Sequence, residues 1–257
     1  FHAIGLIWLK HYAGALALPP QFSILDEDDA QGLVHLLMSQ LSFSRRKGFP
    51  KKQHILALFS RAVNTLRSIA DTVSSDFPWL ETHTPQLVVL FRAYTETKWR
   101  QHRVDYDDLL FLVYKLLCLH EPTRRRLGTH YQAILVDEYQ DTNHAQYVLV
   151  RELSAQIDVP AGQPEVPPAE LVVVGDADQS IYAFRGATTR NIVEFETDYP
   201  DARTILLEQN YRSPQTILQA ATSGIAKNSS RRPKNLWSAG GQGTKIVGYV
   251  ADSEHDE

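Results

Sequence analysis

Among 257 residues there is a single cysteine, Cys118, so no intrachain disulfide can form and packing must hold the fold. Within Leu116-Leu117-Cys118-Leu119 the thiol is expected to be buried and inert. No run is apolar for long enough to cross a bilayer, and no secretory leader is visible; a cytoplasmic setting is the expectation. Positive charge is not in excess either. The 26 Lys and Arg against 30 Asp and Glu leave a formal net charge of −4, which excludes a uniformly basic nucleic-acid glove and confines nucleic-acid contact to local patches and stacking. There is no internal repeat, and the histidines show no metal-ligand spacing. The phosphate-cradling string G-x-x-x-x-G-K-[ST] is also missing. Gly240-Gly241-Gln242-Gly243-Thr244-Lys245 imitates it with Thr and Lys in the wrong order, and it precedes the β-like Ile246-Val247-Gly248-Tyr249-Val250. A glycine-rich turn before a strand is expected there.

What the chain does have is a set of apolar runs that end in polar groups. Ala133-Ile134-Leu135-Val136 runs into Asp137-Glu138, as a strand buried on both faces would. Ligands of open α/β sheets bind beyond the carboxyl ends of such strands. There an aspartate can hold Mg²⁺ and a neighbouring carboxylate can orient an attacking water. Leu171-Val172-Val173-Val174 is followed by Gly175-Asp176-Ala177-Asp178-Gln179-Ser180. Gly175 permits a sharp exit, Asp176 or Asp178 suits a helix cap, and Gln179 both donates and accepts, so it can sense a terminal phosphate or a water. Thr204-Ile205-Leu206-Leu207 is followed by Glu208-Gln209-Asn210-Tyr211-Arg212, a third expected strand, which brings an aromatic and a permanent planar charge suited to phosphate. Three strand tips delivering such groups point to a nucleotide site.

These strings resemble motifs II, III and IV of superfamily 1 DNA helicases of the UvrD/PcrA/Rep group, with the nearest likeness to the actinobacterial PcrA/UvrD enzymes. They are Leu135 to Asn143, Val174 to Ala187, and Leu207 to Ser213; Phe1-His2 resembles the end of motif Ib, and Asp105-Tyr106-Asp107-Asp108-Leu109-Leu110 is also familiar from the group. The resemblance implies ATP and Mg²⁺ as cofactors. Asp137 would hold the metal, Glu138, also close to it, would be the catalytic base, and Gln179 would contact the γ-phosphate and couple it to DNA. Tyr211 would stack on adenine, Arg212 would act as an arginine finger, and Arg185 would link the nucleotide site to the inter-domain cleft. His2, Tyr182 and Phe184 would lie along the DNA path. The group often has Trp at the position of Phe184, and base stacking contributes roughly 1–3 kcal/mol per base, so the smaller ring implies a weaker grip.

The resemblance also implies motifs I and Ia upstream and V and VI downstream, so the chain is expected to be an internal piece that alone neither hydrolyses ATP nor unwinds DNA. Its fold class is expected to be α/β: part of a RecA-like parallel sheet with an inserted all-helical subdomain. Residues 1–19 would belong to motor domain 1A, with a helix from Gly5 to Leu18 ended by Pro19-Pro20. Residues 20–104 resemble the helical accessory domain 1B, with Asp26 as an N-cap and stripes at Leu33, Leu36, Leu37, Leu41 and at Ile55, Leu58, Phe59, Ala62, Leu66. Residues 105–210 would return to 1A, Asp105 or Asp107 capping a helix from Asp108 to His120. The Pro-rich stretch Gln156 to Glu170 reads as an exposed loop. Residues 211–257 would begin domain 2A, with a helix from Gln215 to Lys227 and Tyr211 and Arg212 at the hinge.

Single-stranded DNA and single–double-strand junctions are the expected partners, with repair or transcription proteins beside them and no membrane. The densest basic patch holds Arg45, Arg46, Lys47, Lys51 and Lys52 around Phe49; Lys98 to Arg103, Arg124-Arg125-Arg126 and Arg231 to Lys234 follow. Each phosphate neutralised adds salt-dependent affinity. The expected activity is that of an ATP-dependent 3′–5′ DNA helicase and translocase, in DNA repair or replication. A RecB-type helicase–nuclease subunit shares the motor motifs, and a non-catalytic DNA-binding or partner-docking module would use the acids only as caps.

Overall fold

The computed structural model of the chain describes residues 1–44, 47–155, 167–180, 195–228 and 234–248. Its described residues form two compact units: residues 1–176 with Ser180, and Ala177–Gln179 with residues from 195 onward.

The first unit is mainly helical. Helix α1 spans His2–Tyr12 and tightens into a 3₁₀ turn, Ala13–Leu16, that ends at Ala17 with φ 52°. The expected helix to Leu18 thus closes as a left-handed cap before the two prolines. Gly5 lets α1 approach its neighbour, since a Cβ there would stand 3.4 Å from both the Leu109 carbonyl oxygen and a Val113 methyl. Strand β1, Ser23–Ile24, then leads to α2, Glu27–Gln40, whose first turn is capped by the Asp26 carboxylate accepting from the Asp29 N–H at 2.8 Å. Helices α3 (Lys52–Asn64), α4 (Ile69–Asp76, capped by Ser68) and α5 (Thr84–Arg100) complete a four-helix group. Its core joins Leu25, Val34, Ile55, Leu58, Leu87 and Leu90, and Phe59 meets Phe91 edge-on at 4.9 Å. Ile55, Leu58, Phe59 and Ala62 of α3 face inward as their spacing requires, whereas Leu66 lies beyond the helix and Leu36 of the expected α2 stripe is 50 % exposed.

Strand β2, Arg103–Val104, pairs in parallel with β1, placing Ser23 opposite Arg103 and Ile24 opposite Val104. The helical group therefore leaves and returns at adjacent positions. A second core follows, in which Leu9, Ala13 and Leu18 pack with Leu109, Leu110 and Val113. It is built from α1, α6 (Tyr106–Leu119), α7 (Glu121–His130) and α8 (His144–Ser154). Helix α6 starts two residues earlier than Asp108. Asp105 caps it in a reciprocal box, accepting from the Asp108 N–H while Asp108 accepts from the Asp105 N–H. Cys118 is exposed, not buried as expected; Leu116 and Leu117 take the inward positions, and the next residue turns out of the core by the helical rotation. Partial burial of the sulfur and then the Glu152 charge nevertheless raise its pKa, against smaller opposing effects of Arg151, Tyr114 and Arg124.

Strands β3 (Ala133–Val136) and β4 (Glu170–Val173) pair in parallel, Ala133 opposite Glu170 and Val136 opposite Val173. The expectation of burial on both faces fails: Val136 is buried, but Leu135 is 72 % and Val172 52 % exposed, because only one face of this two-stranded sheet is covered among the described residues.

In the second unit, Thr204 to Leu207 has no regular secondary structure, and Ile205, Leu206 and Leu207 are exposed. The expected third strand is absent among the described residues because no neighbour supplies hydrogen bonds to those positions. Pairing begins only afterwards, where Gln209 bridges Trp237, with the Trp237 N–H donating to the Glu208 carbonyl at 3.0 Å and the Asn210 N–H to the Trp237 carbonyl at 2.7 Å. Helix α9, Gln215–Ile225, follows. No strand occupies 246–248, and Tyr249 and Val250 lie outside the described residues. No helix among the described residues is long and apolar enough to cross a membrane.

Candidate active site

β3 ends in Asp137 and Glu138, both exposed. Glu138 adopts φ 50°, ψ 42°, a left-handed conformation that is uncommon for a residue with a β-carbon and that recurs where function holds the backbone. Its N–H reaches back to Asp137 Oδ1 at 2.9 Å. The chain then makes a 3₁₀ turn, Tyr139–Asp141, and Asn143 caps α8 in a second reciprocal box with Gln146.

Gln140 is the residue that the sequence reading missed. It is 1 % exposed. Its Nε2 donates to Glu138 Oε2 at 2.7 Å, and its Oε1 accepts the Asp176 N–H at 3.0 Å. The same amide therefore holds the exposed carboxylate and the turn after β4. The Tyr139 N–H donating to the Val174 carbonyl at 2.9 Å closes the same junction. The signal was its position two residues beyond Glu138, with an amide able to donate and accept at once. Gly175 is required here by proximity: a Cβ would lie 2.7 Å from Gln140 Oε1 and 3.2 Å from the backbone nitrogens of Tyr139 and Gln140.

Behind this turn runs a buried amide chain. Asn143 Nδ2 donates to Asn64 Oδ1 at 2.8 Å, and Asn64 Nδ2 donates to Asp107 Oδ1 at 2.7 Å. Asp107 thus ties α6 to α3, while its neighbour Asp105 does the capping. Lys98 lies between Asp105 and Asp108, with its ammonium bonded to both. Lys98 is 4 % exposed, so it leaves the surface basic patch to which the sequence assigned it; two carboxylates draw it inward. Burial pushes the Asp108 carboxyl up to about 6, the Asp105 charge adding to the rise and Lys98 opposing it. Burial works upward on Asp105 too, but the Lys98 charge and hydrogen bonds prevail and its pKa is lowered.

The remaining site residues divide as follows. Gln179 is exposed in the 3₁₀ turn Ala177–Gln179 of the second unit, where Asp178 pairs with Lys234 at 3.0 Å. In that unit the Asn210 carboxamide accepts from the Arg212 and Ser213 N–H groups at 2.9 and 2.8 Å, an Asx turn that leaves both Tyr211 and Arg212 exposed, Tyr211 by 87 %. Asp137 and Glu138 are brought together; Gln179 and Arg212 belong to the other unit. His2 is half-buried at the start of α1, edge-on to Tyr106 at 6.1 Å; burial, then the Phe1 amino charge, lower its pKa against a smaller pull from Asp107. Lys47 is exposed. Arg45, Arg46, Tyr182, Phe184 and Arg185 lie outside the described residues, as do most of the Gln156–Glu170 loop and Arg231 to Pro233. Arg124 pairs with Glu152 at 3.2 Å.

No cluster of three or more metal-ligating side chains occurs among the described residues. Mg²⁺ in general takes one or two carboxylates and completes its shell with water and phosphate oxygens. Asp137 and Glu138 are exposed carboxylates of that kind, and Asp141 Oδ1 beside them is a buried carboxylate oxygen without a hydrogen-bond partner.

A family model described as the UvrD/REP helicase N-terminal domain matches residues 1–200. The chain is similar over its whole length to the ATP-dependent DNA helicase UvrD1 of Mycobacterium tuberculosis (strain ATCC 25618 / H37Rv), at 44% identity, covering 33% of that protein. It is 37% identical to the ATP-dependent DNA helicase PcrA of Leuconostoc citreum, covering 32% of it, and 35% identical to PcrA of Staphylococcus aureus (strain Mu50 / ATCC 700699), covering 33%. The alignments take in 100% of this chain, which thus spans about a third of the length of the curated relatives it matches.

Proposed function

This chain belongs to the UvrD/REP helicase family, and from that premise we propose that it supplies half of the nucleotide site of an ATP-dependent DNA helicase moving 3′ to 5′ on single-stranded DNA. The observation that carries this reading is the held carboxylate: an exposed Glu138 in a left-handed backbone, tethered by buried Gln140 to the turn after the neighbouring strand.

The reaction is transfer of the γ-phosphoryl group of ATP to water. A water oxygen bonds to phosphorus, the bond to the β–γ bridging oxygen breaks, and ADP leaves. Glu138 takes the water's proton. Asp137 would hold Mg²⁺, which neutralises charge on the phosphates. Gln179 contacts the γ-phosphate, Tyr211 stacks on adenine, and Arg212 reaches the transferred group when the domains close. Arg185 couples the site to the cleft. His2, Tyr182, Phe184 and the Arg45, Arg46, Lys47 patch contact DNA. Residues 1–19 and 105–210 are assigned to a RecA-like domain 1A, 20–104 to helical domain 1B and 211–257 to the start of 2A. The separate core of the four-helix group and the adjacent β1 and β2 support that insertion. The phosphate-cradling string is absent from these 257 residues, so these residues by themselves are inferred to turn over no ATP.

Strand displacement by the complete enzyme tests the reading. Duplex with a 3′ single-stranded tail should be unwound only with ATP and Mg²⁺. Unwinding confined to 5′-tailed duplex, or none under either polarity, would contradict it.

A further inference from the structure

Helices α1 and α7 wall an open groove of about 1010 Å³ away from the Asp137–Glu138 turn. The volume is at the upper end of the roughly 300–1,000 Å³ of ligand clefts. Its floor is apolar. Leu127 is buried, Trp8 is only 6 % exposed, and Ile7 stands out at the edge, 65 % exposed. Its rim carries the fixed positive charges of Lys10, Arg125 and Arg126, with His11 and His130 beside them, and no lining residue is acidic. In a chain of net charge −4 this is a local concentration against the general balance. Helix α1 contains no Asp or Glu, and the only carboxylate of α7 is Glu121, its first residue, outside the lining. Lys10 and Arg126 are both exposed.

We propose that this groove is a docking site for an acidic segment of a partner protein that carries aliphatic side chains between its carboxylates. The cationic rim supplies charge complementarity. The exposed Ile7 and Pro122, backed by buried Leu127, give the aliphatic groups a surface that a phosphodiester backbone would leave unused. Single-stranded nucleic acid fits less well because it needs open aromatic faces to stack on, and here the rings are engaged with one another. Trp8 packs on Tyr131 at 5.7 Å and donates its indole N–H to the Tyr131 hydroxyl at 3.4 Å. His11 and His130 stand edge-on to Tyr12 and Tyr131 at 4.7 and 4.8 Å. The aromatics brace the floor, and the exposed Lys10, Arg126 and Ile7 are placed to meet a ligand. None of these residues belongs to the proposed ATP site, so the two readings stand or fall separately.

Fluorescence anisotropy of a labelled peptide of alternating glutamate and leucine, titrated with this chain, tests the proposal. Three competitors accompany it: the peptide with serine for leucine, the peptide with lysine for glutamate, and an oligothymidylate of matching length. The glutamate–leucine peptide should bind with a Kd on the order of micromolar, weaken with salt, and shift amide resonances of α1 and α7 in the unaltered chain. The double variant Lys10→Glu, Arg126→Glu and the single variant Ile7→Ser should each weaken binding about ten-fold while keeping the unaltered unfolding midpoint. No binding, resonance shifts elsewhere, or full binding by the variants overturns the site. Equal binding of the serine peptide, or displacement of the glutamate–leucine peptide from the groove by the oligothymidylate, overturns the assigned ligand.

Discussion

Gln140 grips Glu138 with one end of its amide, Nε2 to Oε2 at 2.7 Å, and the Asp176 N–H with the other, Oε1 at 3.0 Å. In the proposed reaction Glu138 accepts a proton from one particular water, and a carboxylate with that task has to be aimed. Glu138 is exposed and would otherwise sample several rotamers. A buried amide anchored on the turn after the neighbouring strand removes that freedom.

Gln140→Leu keeps the bulk and removes both bonds. In the complete enzyme the turnover number for ATP should fall about 10- to 100-fold, with a small change in KM, since an interaction that aims the base acts on the chemical step. Stability should fall by about 1–3 kcal/mol because the Asp176 N–H loses its acceptor. Steady-state ATPase assays and urea unfolding measure both. A variant that unfolds more easily yet turns over at the normal rate would reduce Gln140 to a structural strut.

Gly175→Ala probes the same junction from the opposite side. The added methyl would lie 2.7 Å from Gln140 Oε1 and 3.2 Å from two backbone nitrogens, so the side chain or the turn must move. Overpacking of this kind costs typically 1–3 kcal/mol. The urea midpoint should drop and ATP turnover should fall with it. An alanine accepted at no cost in either would mean that the two strand ends are not held as closely as these distances state.

The Lys98 cluster predicts a pH dependence. The Asp108 pKa, raised to about 6 in the folded chain from an ordinary 3.8, means that the folded state binds this proton more tightly than the unfolded state. Its stabilising contribution is complete below 3.8 and is lost as pH rises through about 6. Asp107, raised by burial and by the Asp105 charge, acts in the same direction. Asp105 is lowered, so its contribution is lost only as pH falls below the ordinary range. Urea midpoints should therefore decline between pH 4 and 6, and Asp108→Asn should flatten that decline, leaving the part due to Asp107. An unaltered slope in the variant would remove Asp108 as its source.

The sequence made the motif strings, the helix caps at Asp26 and Asp105 and the inward stripe of α3 legible, because each rests on local chemistry: a carboxylate before a helix, or apolar residues at helical spacing. Burial was harder to read. An apolar run such as Leu135 or Ile205-Leu206-Leu207 says that a strand is favourable, but exposure depends on which neighbours cover it. Lys98 read as surface charge because its two partners are seven and ten residues away on the next helix, and Cys118 read as core because its leucine neighbours hid the helical rotation. Gln140 was overlooked because only its bond to Glu138 is local; the bond that gives it an anchor reaches a segment 36 residues away.

The central claim concerns Glu138, and Glu138→Gln in the complete enzyme tests it most directly. The amide nearly matches the carboxylate in shape and cannot accept the proton. ATP binding, followed by a fluorescent analogue, should stay within a few-fold, while DNA-stimulated turnover should drop about 10²–10⁴-fold. Turnover within a few-fold of the unaltered enzyme, with ATP binding intact, would contradict the assignment of Glu138 as the base.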